Sequence, residues 1–294
     1  MNDLFLLDCE TLEWTEAPVT SGQRPSGRSR LAIEHSNGSV FIFGGSNEQQ
    51  DFGGEEVWAY RVAQKKWDRL QTSGTPPCPR WGLTASLVRG KIYVFGGQMS
   101  LRAPPSERTA DDLASLSFMY ALDVQTLTWE IVRTFGTGPC PRAGHTCNVF
   151  GDRYLVIFGG GDGMQMFNDL FLFDCLCGEW IPLVLPNAAA PSVVTPRWAH
   201  VALPFDGQLL VYGGANGPIA YQEVLSIAVD LLAARAMGEK LGGLYDLVPL
   251  FLGPEDTTSS AEKVVGTQAQ QQQRGKMDPL QAWLRSLGVE EYAP

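Results

Sequence analysis

The sequence contains few histidines, few charged residues and no long apolar run. Three of its 294 residues are His, and Asp, Glu, Lys and Arg together make up 18 %. No stretch approaches the roughly 18 consecutive apolar residues that a membrane-spanning helix needs. The N-terminal segment, MNDLFLLDCETLEW, lacks the basic region that opens a secretory signal peptide. We therefore predict a cytoplasmic protein without a leader or a membrane anchor.

Basic residues are also outnumbered, with 22 Lys and Arg against 32 Asp and Glu, which gives a net charge of −10. Proteins that bind nucleic acids or anionic membranes present a basic surface, so this balance argues against both kinds of partner. The spacing of the six cysteines matches no zinc or redox motif, which is typical of a reduced, intracellular protein. They are Cys9, Cys78, Cys140, Cys147, Cys175 and Cys177.

Motifs that carry chemistry are missing too. Neither HExxH nor GxSxG occurs, and the glycine-rich segment at 159–163 lacks the Lys-Ser/Thr pair of a phosphate-binding loop. Two of the three histidines, His145 and His200, share one position of an internal repeat, three residues after an arginine. A repeated residue is more often architectural than catalytic. We therefore predict a protein with no catalytic residue, no metal and no cofactor.

What the chain does have is glycine, 32 residues in all, and a long internal repeat. Three landmarks recur in the same order at intervals of about 50–60 residues. A glycine pair closes an apolar run at Gly44 and Gly45, Gly96 and Gly97, Gly159 and Gly160, and Gly213 and Gly214. A tryptophan follows a polar turn at Trp14, Trp67, Trp129 and Trp180. An arginine opens each repeat at Arg28, Arg80, Arg142 and Arg197.

This pattern resembles the Kelch repeat, whose unit is one four-stranded blade of a β-propeller. Runs such as VFIF and LVIF have no polar alternation and suit strands buried on both faces between blades. The resemblance implies an all-β propeller of about four and a half blades over 1–252. The blades are a half blade at 1–16 and repeats near 28–68, 80–131, 142–181 and 197–252.

The repeat is interrupted at both ends. Residues 1–16 align with the second half of a repeat, and the last repeat has no Trp strand, which predicts an unclosed ring from a longer protein. A short helix is predicted from Asp230 to Gly242, and 244–252 is interpreted as a substitute outer strand. Residues 253–276 have the polar bias of a flexible linker. Residues 277–294 resemble the first helix of a SAM domain, which implies self-association by a complete domain; packing of this helix on the propeller is the alternative.

A protein-interaction scaffold is the function that the pattern predicts. In similar propellers the repeat arginine lies at the mouth of the central channel, so Arg28, Arg80, Arg142 and Arg197 would form a basic ring suited to an acidic peptide. Trp81 and Trp198, which follow two of them, would add aromatic anchors. Alternatively, the arginines only tie adjacent blades together. Two further hypotheses are the regulatory or substrate-recognition part of a signalling enzyme or ubiquitin-ligase adaptor, and a propeller enzyme similar to galactose oxidase.

Overall fold

Short antiparallel strands make up the regular structure of the chain. The computed structural model describes residues 2–21, 23–99, 116–185 and 194–229. These residues belong to one compact unit, Met1–Val248, whereas a second unit, Pro249–Pro294, lies outside the described residues. The strands are β1 (Phe5–Leu7), β2 (Trp14–Glu16), β3 (Ala32–Ser36), β4 (Ser39–Phe43), β5 (Val57–Arg61), β6 (Lys66–Leu70), β7 (Ser73–Gly74), β8 (Trp81–Val88), β9 (Lys91–Gln98), β10 (Tyr120–Asp123), β11 (Thr128–Ile131), β12 (Thr146–Phe150), β13 (Tyr154–Phe158), β14 (Leu170–Asp174), β15 (Glu179–Leu183), β16 (Val201–Phe205), β17 (Gln208–Tyr212), β18 (Ala215–Asn216), β19 (Ile219–Ala220) and β20 (Val224–Ala228).

These strands form four successive blades, and the predicted all-β propeller is confirmed. Strands β3–β6 form blade 1, β8–β11 blade 2, β12–β15 blade 3, and β16, β17 and β20 blade 4. Neighbouring strands within each blade are antiparallel, and β7 adds a short parallel edge to blade 2. The described residues thus form three blades of four strands, a fourth blade of three strands, and two separate hairpins, β1–β2 and β18–β19.

The core consists of the apolar strands that precede the glycine pairs, together with the outer-strand tryptophans. Val94, Val156 and Val211 at the middle of these strands are fully buried, as expected for strands that are covered on both faces. Two of these tryptophans pack on the preceding blade: the rings of Trp129 and Phe43 lie 5.9 Å apart, and those of Trp180 and Phe95 lie 5.4 Å apart. The repeated tryptophan is therefore a contact between blades.

The glycine pairs permit this close approach of neighbouring blades. Both glycines of every pair have positive φ, between 60° and 97°, a region that side chains disfavour. At Gly96 a Cβ atom would also lie 2.5 Å from the carbonyl oxygen of Arg142 in the next blade. At Gly213, in the last described blade, the nearest atom among the described residues would be 3.6 Å away.

The two ends of the described array expose apolar side chains. Trp14 of the β1–β2 hairpin is 67 % exposed, because the described residues supply no inner strands for this half blade. Tyr212 is 53 % exposed, although Phe43, Phe95 and Phe158, which precede the other glycine pairs, are buried. Between blades 1 and 2, and between blades 2 and 3, a tryptophan of one blade is buried against an aromatic residue of the preceding blade. At the two ends of the described array the equivalent residues, Trp14 and Tyr212, are both accessible.

Several predicted segments lie outside the described residues. They are the helix from Asp230 to Gly242, the outer strand at 244–252, the linker at 253–276 and the SAM-like segment at 277–294. Within residues 2–229, apart from the undescribed positions, no helix has the length and apolar character needed to cross a bilayer. The six cysteines are free thiols.

Candidate functional site

Each repeat arginine reaches back into its own blade through its side chain. The Nη1 group donates to the carbonyl oxygen of the first glycine of the pair, and Nε donates to the carbonyl oxygen two residues earlier in the chain. The glycine acceptors for Arg28, Arg80, Arg142 and Arg197 are Gly44, Gly96, Gly159 and Gly213, at 2.8–3.4 Å. The upstream acceptors are Ser26, Cys78, Cys140 and Thr195, at 3.0–3.3 Å. These bonds close the loop that opens each repeat.

Among the described residues, three ion pairs join a repeat arginine to a carboxylate that stands just before the third strand of the same blade. The pairs are Arg28–Glu56, Arg142–Asp169 and Arg197–Glu223. The side chains of Arg142 and Arg197 have no exposed surface, so their charge is neutralised inside the blade.

The backbone of the same arginine ties its blade to the preceding one. The N–H group of the second glycine of one pair donates to the carbonyl oxygen of the next repeat arginine: Gly45 to Arg80 at 3.0 Å, Gly97 to Arg142 at 2.8 Å and Gly160 to Arg197 at 2.9 Å. This geometry supports the alternative that the arginines link blades. Capture of an acidic peptide by the arginine ring stays a prediction.

The two repeated histidines join neighbouring blades. His145 Nε2 lies 2.9 Å from the hydroxyl of Thr84, and His200 Nε2 lies 3.0 Å from that of Thr146, in each case on the preceding blade. Burial, followed by the nearby Arg142 charge, lowers the pKa of His145 to about 3. Burial and Arg197 lower the pKa of His200 to about 4. Both imidazoles are therefore neutral at physiological pH.

These pKa values predict an acid-sensitive fold. Between pH 6.5 and pH 4 the unfolded chain binds a proton at each histidine and the folded chain does not, so stability falls as pH falls. The slope is about 1.4 kcal/mol per pH unit for each histidine. His145→Leu places at this position the residue that blade 2 has there, Leu83. We expect it to reduce the pH dependence of the free energy of unfolding, measured by urea denaturation between pH 5 and 6.5, by the contribution of about one proton. The exposed His35→Gln is the control, and an unchanged slope in His145→Leu would disprove the assignment.

We call the end of the propeller that carries the glycine-pair loops the loop face. The residues that directly follow the repeat arginines lie at this end. In chain order these residues are Ser29, Trp81, Ala143 and Trp198. Each pairs with the residue after a glycine pair, as Trp81 does with Gln98 and Ala143 with Gly161. The next positions, Arg30, Gly82, Gly144 and Ala199, all have positive φ. Their backbones form a hydrogen-bonded chain of 2.8–3.0 Å from blade to blade.

Small and large side chains alternate at this position, and the alternation creates a pocket. A cavity of about 170 Å³ lies between Trp81 of blade 2 and Trp198 of blade 4, over the small Ala143 of blade 3. We call it the loop-face pocket; its lining is Trp81, Gln98, Ala143, Gly161, Gly163, Met166 and Trp198. The structure thus brings together the two tryptophans that the sequence singled out. It adds Gln98 and Met166, whose only sequence signal was their place near glycine-pair loops.

A second cavity, of about 470 Å³, lies among the inner strands β3, β8, β12 and β16. Its lining includes Thr84, Thr146 and Asn148, and the side-chain oxygen of Asn148 is buried without a protein partner. The described part of the chain contains no group of three or more His, Cys, Asp or Glu side chains that could hold a metal ion.

Comparison with known proteins supports the assignment of the repeat. Residues 1–214 match the KLHDC2/KLHL20/DRC7 Kelch-repeats domain. The chain is 28 % identical over 244 residues to acyl-CoA-binding domain-containing protein 5 of Arabidopsis thaliana, covering 79 % of this chain and 35 % of that protein. It is 28 % identical over 227 residues to human host cell factor 1, covering 73 % of this chain and 11 % of that protein. It is 27 % identical over 234 residues to bovine Kelch domain-containing protein 3, covering 73 % of this chain and 56 % of that protein.

The matches thus span about a third of the plant relative, about a tenth of host cell factor 1 and about half of the bovine protein. The matched family region includes the four glycine pairs, the four tryptophans and the four arginines that define the repeat. Those residues form the blades and the contacts between them, as described above. The chain belongs to the Kelch-repeat family, specifically to its KLHDC2/KLHL20/DRC7 Kelch-repeats domain.

Proposed function

We propose that the chain is a non-enzymatic protein-interaction module that binds its partner at the loop face, through the loop-face pocket. The pocket carries the proposal, because it is an accessible apolar site with two half-buried tryptophans. Tryptophan is among the residues that contribute most to binding energy at protein interfaces. Membership of the Kelch-repeat family supports a protein partner, and we place the interaction in the cytoplasm because the free cysteines fit a reducing compartment.

The size of the pocket supports a protein partner over a small molecule. Sites for drug-sized ligands and cofactors typically measure about 300–1,000 Å³. A cavity of about 170 Å³ suits a single side chain that a partner inserts. The rigid blades beneath it keep Trp81 and Trp198 in place, so little conformational entropy is lost when the partner binds.

Filling the pocket should abolish binding without unfolding the chain. In Ala143→Trp a third indole would occupy the cavity, and the repeat accepts Trp at the same position in blades 2 and 4. Peptides selected on the wild-type chain from a random-peptide display library should bind Ala143→Trp at least about 10-fold more weakly, since they would lose their anchor pocket. Affinities would be measured by calorimetry on the purified chain.

The control is Ser29→Trp, which makes the same change at the same repeat position in blade 1. Ser29 does not line the loop-face pocket, so this variant should bind the selected peptides as the wild type does. If Ala143→Trp binds them with unchanged affinity and has an intact fold, the partner site lies elsewhere and the proposal is wrong.

A further inference from the structure

The walls of the loop-face pocket are rich in aromatic surface and poor in hydrogen-bond acceptors. Two indoles face it, from Trp81 and Trp198, and Met166 adds a polarizable thioether. Among the seven lining residues that the structure describes, Gln98 alone carries a side-chain oxygen. Indole faces attract cations, with an interaction that strengthens when the cation is desolvated. Trp81 already does so within the protein, since the guanidinium of Arg30 lies 4.5 Å from its ring centroid.

A negative charge stands beside the pocket. Asp162 lies between the lining residues Gly161 and Gly163, and its side chain accepts N–H bonds of 2.8 Å from Met164 and Gln165. These bonds lower the pKa of Asp162, so its carboxylate is ionised at neutral pH. The chain as a whole carries a net charge of −10, which attracts cationic partners over long range. The charge of this region therefore complements a cation.

The cation must bring few N–H groups with it. An unmodified lysine ammonium has three donors. In a pocket whose side chains offer one oxygen, most of these donors would lose water without gaining a partner. Methylation replaces the donors with apolar surface and keeps the positive charge. A methylated ammonium is therefore attracted by the aromatic walls and by the adjacent carboxylate, and it needs few hydrogen-bond acceptors.

On the basis of the proposed function, we infer that the loop-face pocket binds a methylated lysine side chain of the protein partner. The two indoles would hold the methylammonium group, and Asp162 would supply the compensating charge at the rim. Arg30, whose guanidinium lies 4.5 Å from the ring centroid of Trp81, carries the opposite charge to Asp162.

The test compares a cation with its neutral isostere on the full-length chain. One probe is a capped tripeptide with trimethyllysine between two glycines; in the other, a tert-butyl group replaces the trimethylammonium. Titrations followed by NMR of the indole N–H signals should give about 10-fold tighter binding of the cation, given the usual strength of a desolvated cation–π contact. Trp198→Leu should abolish the binding of both probes. Equal affinities for both probes would overturn the inference and leave the proposed apolar anchor site intact.

Variants that change a single charge measure the electrostatic contribution to the binding of the trimethyllysine probe. Asp162→Asn should weaken the binding of the trimethyllysine probe about three-fold and leave that of the neutral probe unchanged, since a single exposed charge contributes little to affinity. The loop itself should survive, because Asn47 holds the matching turn of blade 1 with the same two N–H bonds, each 2.9 Å. Asn47→Asp is the control and should leave both affinities unchanged.

Two further outcomes would overturn the inference. One is weaker binding of trimethyllysine than of unmodified lysine in the same tripeptide. The other is sedimentation of the chain with phosphatidylcholine vesicles, blocked by Ala143→Trp, which would identify a lipid headgroup as the source of the quaternary ammonium. If Ala143→Trp abolishes the binding of library peptides but neither tripeptide binds the wild type, the proposed function stands and the methyllysine inference fails.

Discussion

Arg142→Met should lower the free energy of unfolding by about 3–4 kcal/mol. The substitution keeps the apolar stem but removes the donors to the carbonyl oxygens of Cys140 and Gly159, at 3.1 and 3.0 Å. A buried acceptor left without its partner costs about 1–3 kcal/mol. The guanidinium also lies 4.4 Å from the ring centroid of Phe167, a contact worth about 1 kcal/mol. Asp169 adds less, because its side chain is 40 % exposed and regains water. Urea denaturation would measure the loss.

The matched control is Arg89→Met. Arg89 forms an ion pair with Asp152, but these side chains are 50 % and 79 % exposed, and such pairs contribute about 0–1 kcal/mol. Together the two variants separate a structural role of the repeat-arginine side chain from a ligand-binding role. If Arg142→Met unfolds like the wild type but no longer binds acidic peptides, the side chain is a ligand-binding group and its structural role within its own blade is wrong.

The fold could be predicted from the sequence because its signals are local and repeated. A double glycine after an apolar run, a later tryptophan and an arginine each mark a fixed position in the repeat. Because each landmark occurs four times, the assignment of the repeat has little ambiguity. The ends were harder to predict. The exposure of Trp14 depends on which neighbours a half blade has in space, and a repeat position alone does not encode this.

The candidate site was only partly predictable, for a geometric reason. The sequence drew attention to Trp81 and Trp198 because they follow repeat arginines. It could not show that Ala143, between them in the blade order, leaves a cavity that both indoles line. Nor could it show that Asp169 neutralises Arg142, because that pairing depends on the register of the strands. The structure adds that Arg142 is buried, and a binding role for the repeat arginines stays a prediction.

Gly96→Ala should lower the free energy of unfolding by about 2–5 kcal/mol, whereas Gly213→Ala should lower it by only about 1–2 kcal/mol. The two glycines share a repeat position and a positive φ, +67° and +69°, so the backbone penalty of about 1–2 kcal/mol is the same for both. At Gly96 the new methyl group would also lie 2.5 Å from the Arg142 carbonyl oxygen and 2.5 Å from His145 Cε1. Overpacking of this kind adds about 1–3 kcal/mol. Denaturant unfolding of both variants would give the difference.

The difference between Gly96→Ala and Gly213→Ala measures the contribution of the contact between blades, because the new methyl group meets the next blade only at Gly96. Gly159→Ala provides an intermediate point, since its Cβ would lie 2.9 Å from both the Arg197 carbonyl oxygen and His200 Cε1. The expected order of destabilisation is therefore Gly96, then Gly159, then Gly213. Equal losses at Gly96 and Gly213 would contradict the open face of blade 4. They would mean that this face, where Tyr212 is 53 % exposed in the structure, is covered in solution as closely as the face of blade 2.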